Sequence, residues 1–308
     1  MLNKVPLVLT ILVHYNSVDD CCSIIQDLEN CKYSNHKIVI VDNQSTDYSF
    51  RKLKYSLTNA KAYLIRNTCN NGYGGGINFG VEYGRQFNPG YIQVMNIDTR
   101  VINFSYMSEI VGQLEALPSA GIIGPAVMTP KGGSQNTIMP FVTLKGLFNF
   151  KKNFTKLSHI KTPPVLKEVE VLNGVCFIVR YKAFQNVNGF DEDYFMYGEE
   201  QDFCFRISRM GYFNYFYSIK SIIHYEDNSQ LLVKEIIDWK YLLIRSNQVM
   251  YLMKNKNFFE SCMSSLIFFI STVKKIIVGS KLKNLSILRV FKALVRPKSF
   301  NKSLVKSS

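Results

Sequence analysis

The densest concentration of reactive side chains in the 308-residue chain runs from Asn188 to Arg206, N-G-F-D-E-D-Y-F-M-Y-G-E-E-Q-D-F-C-F-R. Six acids, Asp191, Glu192, Asp193, Glu199, Glu200 and Asp202, are interleaved with aromatics. That is poor material for a plain amphipathic helix, because the acids repel one another unless a cation, a proton or Arg206 holds them. Such crowding raises the proton affinity of at least one carboxylate, which suits a general base. Glu199 and Glu200 at a helix N-terminus would also be favoured by the helix dipole, and both readings can hold at once.

Five further clusters carry chemistry. Asp98, in Met95-Asn96-Ile97-Asp98-Thr99, offers the hard oxygen that a divalent ion on a diphosphate needs, or serves as a turn residue. His224 closes a β-rich run after the acidic segment, as a structural imidazole or as a ligand. Asp42, in V-D-N-Q-S-T-D, can accept the imide N–H of uracil or thymine, or a ribose hydroxyl, while Ser45 to Asp47 cap the next helix. His14-Tyr15-Asn16 reads by itself as a buried aromatic before a capping residue; beside the Asp42 cluster on an adjacent strand end it favours a nucleoside pocket. Glycines at 72, 74, 75, 76 and 80 suit backbone approach to an anion at a helix start, or a flexible loop. The spacing is no dinucleotide fingerprint, since the third glycine would fall at Ile77 or Phe79, and no G-x-x-x-x-G-K-[ST] loop is present.

The elements that must position these residues alternate. Strands are expected at Pro6–Val13, Lys37–Val41, Ala62–Ile65 and Tyr91–Asn96, with helices at Val18–Asn30 behind a Ser17 cap, Tyr48–Leu57 and Gly75–Phe87. Three βα crossovers predict an α/β domain with a mostly parallel sheet, whose ligand crevice lies beyond the strand carboxyl ends. Residues 130–168, punctuated by Pro and Gly, read as a long excursion on the acceptor side. A strand-like run follows at Val169–Val179, then the acidic segment, a β-rich Tyr212–His224, and a helical pattern after Leu231. The expected division is a catalytic domain over 1–230, with a nucleotide half at about 1–128 and an acceptor half at about 129–230, and a helical extension over 231–308.

Composition narrows the classes. The chain is 47% hydrophobic, enough for a substantial core, and carries a formal net charge of +14. That excess is local: residues 1–230 hold 22 basic and 20 acidic side chains, and 231–308 hold 15 and 3. An apolar-rich basic tail argues against nucleic-acid binding. Apolar Phe258–Val273 and the basic amphipathic pattern of Ile276–Val295 predict helices lying on anionic lipid, the alternative being packing on the catalytic domain or on a second subunit of a homo-oligomer. Ser261–Val273, fenced by Glu260 and Lys274, is too short for an ordinary transmembrane helix of ~20 residues. Seven scattered cysteines without C-x-x-C spacing fit a reducing cytoplasm.

Taken in order, the clusters resemble the inverting glycosyltransferase family 2, in particular its rhamnosyltransferase-like branch of bacterial surface polysaccharide biosynthesis. Tyr15-Asn16, the V-D-N-x-S-x-D of Asp42, Asn43 and Asp47, the N-x-G-[FY]-[AG]-G-G-x-N-x-G of 70–80, Asn96-Ile97-Asp98 and the run from Gly189 to Arg206 each match. The resemblance implies a GT-A fold, a nucleoside diphosphate sugar donor (UDP- or dTDP-linked), Mg²⁺ or Mn²⁺, and a glycan or lipid-linked glycan acceptor at the inner face of the cytoplasmic membrane. It further implies that Asp42 reads the base, that Tyr15, Asn16, Asn43 and Asn96 line the nucleotide, and that Gly74, Gly75 and Asn78 border the donor. Asp98 and His224 would hold the metal, and Glu200 would be the base, with Glu199 and Asp202 as alternatives. Two competing classes are a sugar nucleotidyltransferase, which should show a G-x-G-[ST]-R-L loop where this chain has His14-Tyr15-Asn16-Ser17, and a silent binding module, which has no need of the acidic cluster and His224.

Overall fold

The computed structural model describes residues 5–57, 62–148, 163–225, 234–256 and 258–277. Strands β1 (Val8–His14), β2 (His36–Asp42), β3 (Ala62–Arg66) and β4 (Tyr91–Met95) run parallel in the order β3-β2-β1-β4. Helices α1 (Val18–Glu29), α2 (Ser49–Ser56) and α3 (Gly72–Gly84) connect them, and a 3-10 turn at Arg85–Phe87 follows α3. Next come β5 (Thr99–Val101), α4 (Tyr106–Ala116), β6 (Ala120–Met128), β7 (Ile138–Met139), α5 (Leu144–Phe148), β8 (Leu166–Val169), β9 (Val171–Leu172) and β10 (Cys176–Arg180). The chain continues with α6 (Tyr181–Asn186), α7 (Glu199–Arg209), β11 (Phe213–His224), α8 (Lys234–Asn255) and α9 (Phe258–Ile277). The main sheet runs on as β4-β10-β6-β11-β5, with β8 also on β11 and a separate β7–β9 ribbon.

The central strands read as near-continuous apolar runs because helices cover both sheet faces. Val8, Leu12, Ile38 and Ile40 pack with Ile24 and Leu28 of α1 on one side; Leu9, Ile11, Val39 and Val41 pack with Ile77 and Val81 of α3 on the other. Much of the glycine density in α3 serves this second contact. A Cβ at Gly76 would meet Val13 at 2.9 Å, one at Gly80 would meet Ile11 at 2.7 Å, and one at Gly84 would meet Leu9 at 2.2 Å. The every-fourth-residue stripe lets α3 lie directly on the sheet.

Three local expectations change. Val169–Val179 is not one strand but the end of β8, then β9 and β10, broken at Glu170 and at Asn173–Gly174, where Asn173 N–H donates to Thr137 O. Ser17 sits at the N-cap of α1, yet its hydroxyl donates to Asp20 Oδ2 at 2.7 Å instead of capping a backbone N–H. The third helix starts at Gly72, three residues early. Of the excursion at 130–168, residues 149–162 lie outside the described residues; the remainder holds β7, α5 and most of β8. The tail helices α8 and α9 pack on this domain: Tyr251, Leu252 and Ile267 share a cluster with Val142 and Leu147, and Arg245 Nη2 donates to Leu147 O at 3.0 Å. Beyond Ile277 the basic amphipathic stretch expected at 276–295 lies outside the described residues.

Candidate active site

The sheet reverses its order of growth at β1, which has β2 on one side and β4 on the other. A crevice at the carboxyl ends of these strands is where such folds take ligands. His14 ends β1, Asp42 ends β2, and Asn96-Ile97-Asp98 follows β4.

Asp42 is fully buried and its carboxylate accepts from several donors. His14 Nδ1 lies 3.1 Å and the Ser45 hydroxyl 2.5 Å from Oδ1; Ser45 N and Arg66 Nε approach Oδ2 at 3.3 and 3.1 Å. Burial pushes its pKa up, but the hydrogen bonds from His14 and Ser45 and the nearby Arg66 guanidinium outweigh that and hold it below the usual carboxylate value. With these four donors around it, the carboxylate of Asp42, the residue expected to read the base, lies at the floor of the crevice. The exposed rim is Tyr15 and Asn16, the latter exchanging hydrogen bonds with Thr46 at 3.0 and 3.1 Å. Asn43, expected on the nucleotide, is buried and staples two loops, donating to Asn70 Oδ1 and Gly72 O at 2.9 Å each.

The start of α3 is covered by the acidic loop. Gly72 has φ +78, a Cβ there would fall 1.9 Å from Phe195 O, and Tyr73 N–H donates to that same oxygen. Gly74 lies under Phe190 and Gly75 faces Asn71 and Glu192. Asn78 donates to Phe190 O at 2.8 Å and accepts from Phe190 N–H at 2.9 Å. Gly74, Gly75 and Asn78, expected to border a donor, therefore dock α3 on the 189–195 loop.

That loop resolves the crowding of acids in three ways. Arg206 Nε donates to Asp202 Oδ2 at 2.6 Å, and Asn255 Nδ2 donates to Oδ1 at 3.2 Å. Both oxygens of Asp202, an alternative candidate for the base, are thus hydrogen-bonded. Lys254, from α8, reaches Asp191 Oδ2 at 2.5 Å and Asp193 Oδ2 at 2.9 Å. In the third pair, burial, then the adjacent Glu200 charge and a hydrogen bond with Glu200, push Glu199 well above the ordinary carboxyl value. Glu199 Oε2 is buried without a hydrogen-bond partner, whereas Glu200 Oε2 accepts from Gly198 N–H at 3.0 Å. The interleaved aromatics turn inward, Phe190 stacking on Phe203 at 4.3 Å between centroids.

Asp98 and His224 come together because β5 pairs antiparallel with β11, with Thr99 opposite His224. His224 Nε2 is 3.2 Å from Asp98 Oδ1. His224 Nδ1 lies 3.0 Å from Gln135 Oε1, an acceptor, so the tautomer that donates there leaves Nε2 as the ligating atom. Nε2 is buried without a hydrogen-bond partner and faces the Asp98 carboxylate. That arrangement suits a shared cation: one imidazole nitrogen oriented by an outer hydrogen bond and one hard oxygen. Among the described residues no group of three or more His, Cys, Asp or Glu forms a metal cage, so remaining ligands would have to come from a bound molecule or water. Asn96, from the same loop, donates its backbone N–H to Val175 O at 3.0 Å. Tyr73 links the two halves: its partial burial, and then the charges of Glu199, Glu200 and Asp98, push its pKa up, and its hydroxyl donates to Gly174 O at 3.1 Å.

Sequence reasoning missed Lys254, Asn247, Gln135 and Tyr73. Asn247, Tyr251 and Lys254 recur at four and three residues along α8, one face that is buried at Asn247 and Tyr251 and reaches the surface at Lys254, and that spacing was the available signal.

A family model described as glycosyl transferase family 2 matches residues 10–188, more than half of the chain. The N-acetylglucosaminyl-diphospho-decaprenol L-rhamnosyltransferase of Mycobacterium tuberculosis is 25% identical over 209 residues, covering 62% of this chain and 67% of that protein. Two solved structures share the fold. S. aureus TarS 1-349 in complex with UDP has a TM-score of 0.56 at 14% identity, covering 94% of this chain and 81% of that one. Mannosyltransferase PcManGT from Pyrobaculum calidifontis, in complex with GDP-Man and Mn²⁺, has a TM-score of 0.54 at 14% identity, covering 98% and 86%.

Proposed function

The chain belongs to glycosyl transferase family 2, and from that membership we propose that it moves a sugar, with inversion and with the help of a divalent cation, from a nucleoside diphosphate donor to a hydroxyl of a growing surface polysaccharide or lipid-linked glycan. The observation that carries this reading is the convergence of the Asp98–His224 pair, with its bare imidazole nitrogen, and the Glu199–Glu200 pair around Tyr73. The rhamnosyltransferase relative supports a deoxysugar, and the structures with UDP, GDP-Man and Mn²⁺ support a metal-assisted nucleotide-sugar donor.

Glu200, hydrogen-bonded to the protonated Glu199, takes the proton from an acceptor hydroxyl as that oxygen attacks the anomeric carbon opposite the leaving diphosphate. The new C–O bond forms as the bond to the diphosphate oxygen breaks, which inverts the anomeric centre. Asp98 and His224 would hold Mg²⁺ or Mn²⁺, which when bound neutralises charge growing on the diphosphate. Tyr15 and Asn16 line the nucleoside over the floor set by Asp42.

The acceptor end of the proposal rests on α9. No helix among the described residues is long and apolar enough to cross a membrane. Yet α9 leaves Phe259, Leu266 and Ile270 69%, 51% and 56% exposed, with exposed Cys262 on the same face, and no acidic residue follows Glu260. An apolar stripe continued by a purely basic sequence fits an anionic lipid surface. Flotation with phosphatidylglycerol vesicles should carry the full chain, and Phe259→Ser/Leu266→Ser should release it; equal flotation of both removes the lipid surface.

The function itself is tested by incubating the protein with UDP- and dTDP-sugars, Mn²⁺ and a membrane extract of lipid-linked glycans. Transfer from one donor class, absent in Glu200→Gln, supports the reading; transfer by Glu200→Gln at the wild-type rate overturns the assigned base.

A further inference from the structure

The acidic loop is held from outside the family-matched stretch, by one face of α8. Asn247 Nδ2 donates to Met196 O at 2.8 Å and to Tyr197 O at 2.6 Å. These carbonyls flank a left-handed turn, Tyr197 at φ +64 and Gly198 at φ +115, immediately before Glu199 and Glu200 open α7. A tyrosine in that conformation persists only where its surroundings over-determine it. The Cβ of Asn247 also closes over Gly198, where an added Cβ would lie 3.2 Å away. Two turns further along α8, Lys254 joins Asp191 to Asp193 and sits over the ring of buried Tyr194 at 5.4 Å. Its neighbour Asn255 completes Asp202. The helix therefore supplies both the brace for the turn and the countercharge for the loop.

We infer that Asn247 and Lys254 are positioning residues for glycosyl transfer: they fix the 189–198 loop and the first turn of α7 so that Glu200 meets the acceptor hydroxyl, and so set turnover without touching the donor. Neither residue contacts Asp98 or His224 among the contacts described, so donor and metal binding should be insensitive to them. This rests on the reading of Glu200 as the base. A shift of about 1 Å at a reacting group can cost ~100-fold in rate.

The test uses the full chain with Asn247→Ala, Lys254→Met and Lys254→Arg. Expected are a kcat at least about tenfold lower in Asn247→Ala and Lys254→Met, donor KM and UDP–Mn²⁺ affinity within about twofold of wild type, and recovery of kcat in Lys254→Arg. Amide hydrogen exchange over 189–203 should quicken in the first two and return in the third, with the central strands unchanged. Lys254→Gln replaces Lys254→Met if the latter does not fold. Unchanged exchange over 189–203, faster exchange with unchanged kcat, faster exchange of the central strands, or a loss confined to KM would each overturn the inference. Wild-type protein that turns over no nucleoside diphosphate sugar would overturn the proposed function instead, and the exchange arm would still report on the brace.

Discussion

His224 Nε2 and Asp98 Oδ1 face each other at 3.2 Å, brought together from distant parts of the chain by the pairing of β5 with β11. In the tautomer that donates from Nδ1 to Gln135, the facing nitrogen presents its lone pair beside the Asp98 carboxylate, an arrangement suited to a shared cation. Gln135 fixes which nitrogen is bare. Gln135→Leu should weaken Mn²⁺ binding about 10- to 100-fold in the presence of UDP, as outer hydrogen bonds to metal-bound imidazoles generally do, while Gln135→Glu retains it. Electron paramagnetic resonance of free Mn²⁺ reads this directly; equal affinity in Gln135→Leu would contradict the orienting role.

The two glutamates opening α7 differ in surroundings: Glu199 Oε2 is buried without a hydrogen-bond partner, whereas Glu200 Oε2 accepts from Gly198 N–H. Glu200→Gln should lower turnover by about a thousandfold, the scale of a lost general base, with calorimetric UDP–Mn²⁺ affinity unchanged. Glu199→Gln replaces a protonated carboxyl by an amide that still donates, so its loss should stay below about tenfold. Reversed magnitudes would exchange the two roles.

Protonated Glu199 also makes stability depend on pH. Its folded pKa lies above the unfolded value near 4.3, so its contribution is fully present below that value and is lost as pH rises toward the folded pKa. Relative to Glu199→Gln, the wild type should therefore lose stability steadily above about pH 5. Urea unfolding of both proteins at pH 5 and pH 8 checks the sign; a difference that does not change between the two would show that Glu199 ionises normally.

Gly80 sits where α3 touches the sheet, with Ile11 and Val41 side chains 2.7 and 2.8 Å from an added Cβ. Gly80→Val should cost about 1–3 kcal/mol by overpacking, visible as a lower urea midpoint. An unchanged midpoint would mean that α3 can lift away freely.

How much of this was legible depended on whether a residue's partners were near in sequence. The parallel half was readable because strands buried on both faces are written as apolar runs, and β1 to β4 fall within a residue or two of their expected bounds. The periodicity gave the α/β class, and the GT-A arrangement was what the family resemblance implied. The run at 169–179 misled because Val171, Val175 and Phe177 are apolar on either side of the Asn173–Gly174 turn, and the turn signal is shorter than the pattern around it. In the site, residue type by itself left Asp98 and His224 open to structural readings, and the family resemblance supplied the expectation that they act with Glu200. It could not count the donors around Asp42, nor show that the countercharge for Asp191 and Asp193 comes from Lys254, some sixty residues later. The α3 glycines were open to a ligand reading and a loop reading, and only the proximity of Leu9, Ile11 and Val13 shows that Gly76, Gly80 and Gly84 serve helix–sheet packing.

The central claim, that Asp98 and His224 share a cation beside a diphosphate, is tested most directly by thermal unfolding with UDP or dTDP, in Mn²⁺ and in EDTA. A stabilisation by one nucleotide that needs Mn²⁺, and that disappears in both Asp98→Ala and His224→Ala, is the expected result. The same stabilisation in EDTA, or its survival in both variants, would contradict the shared cation.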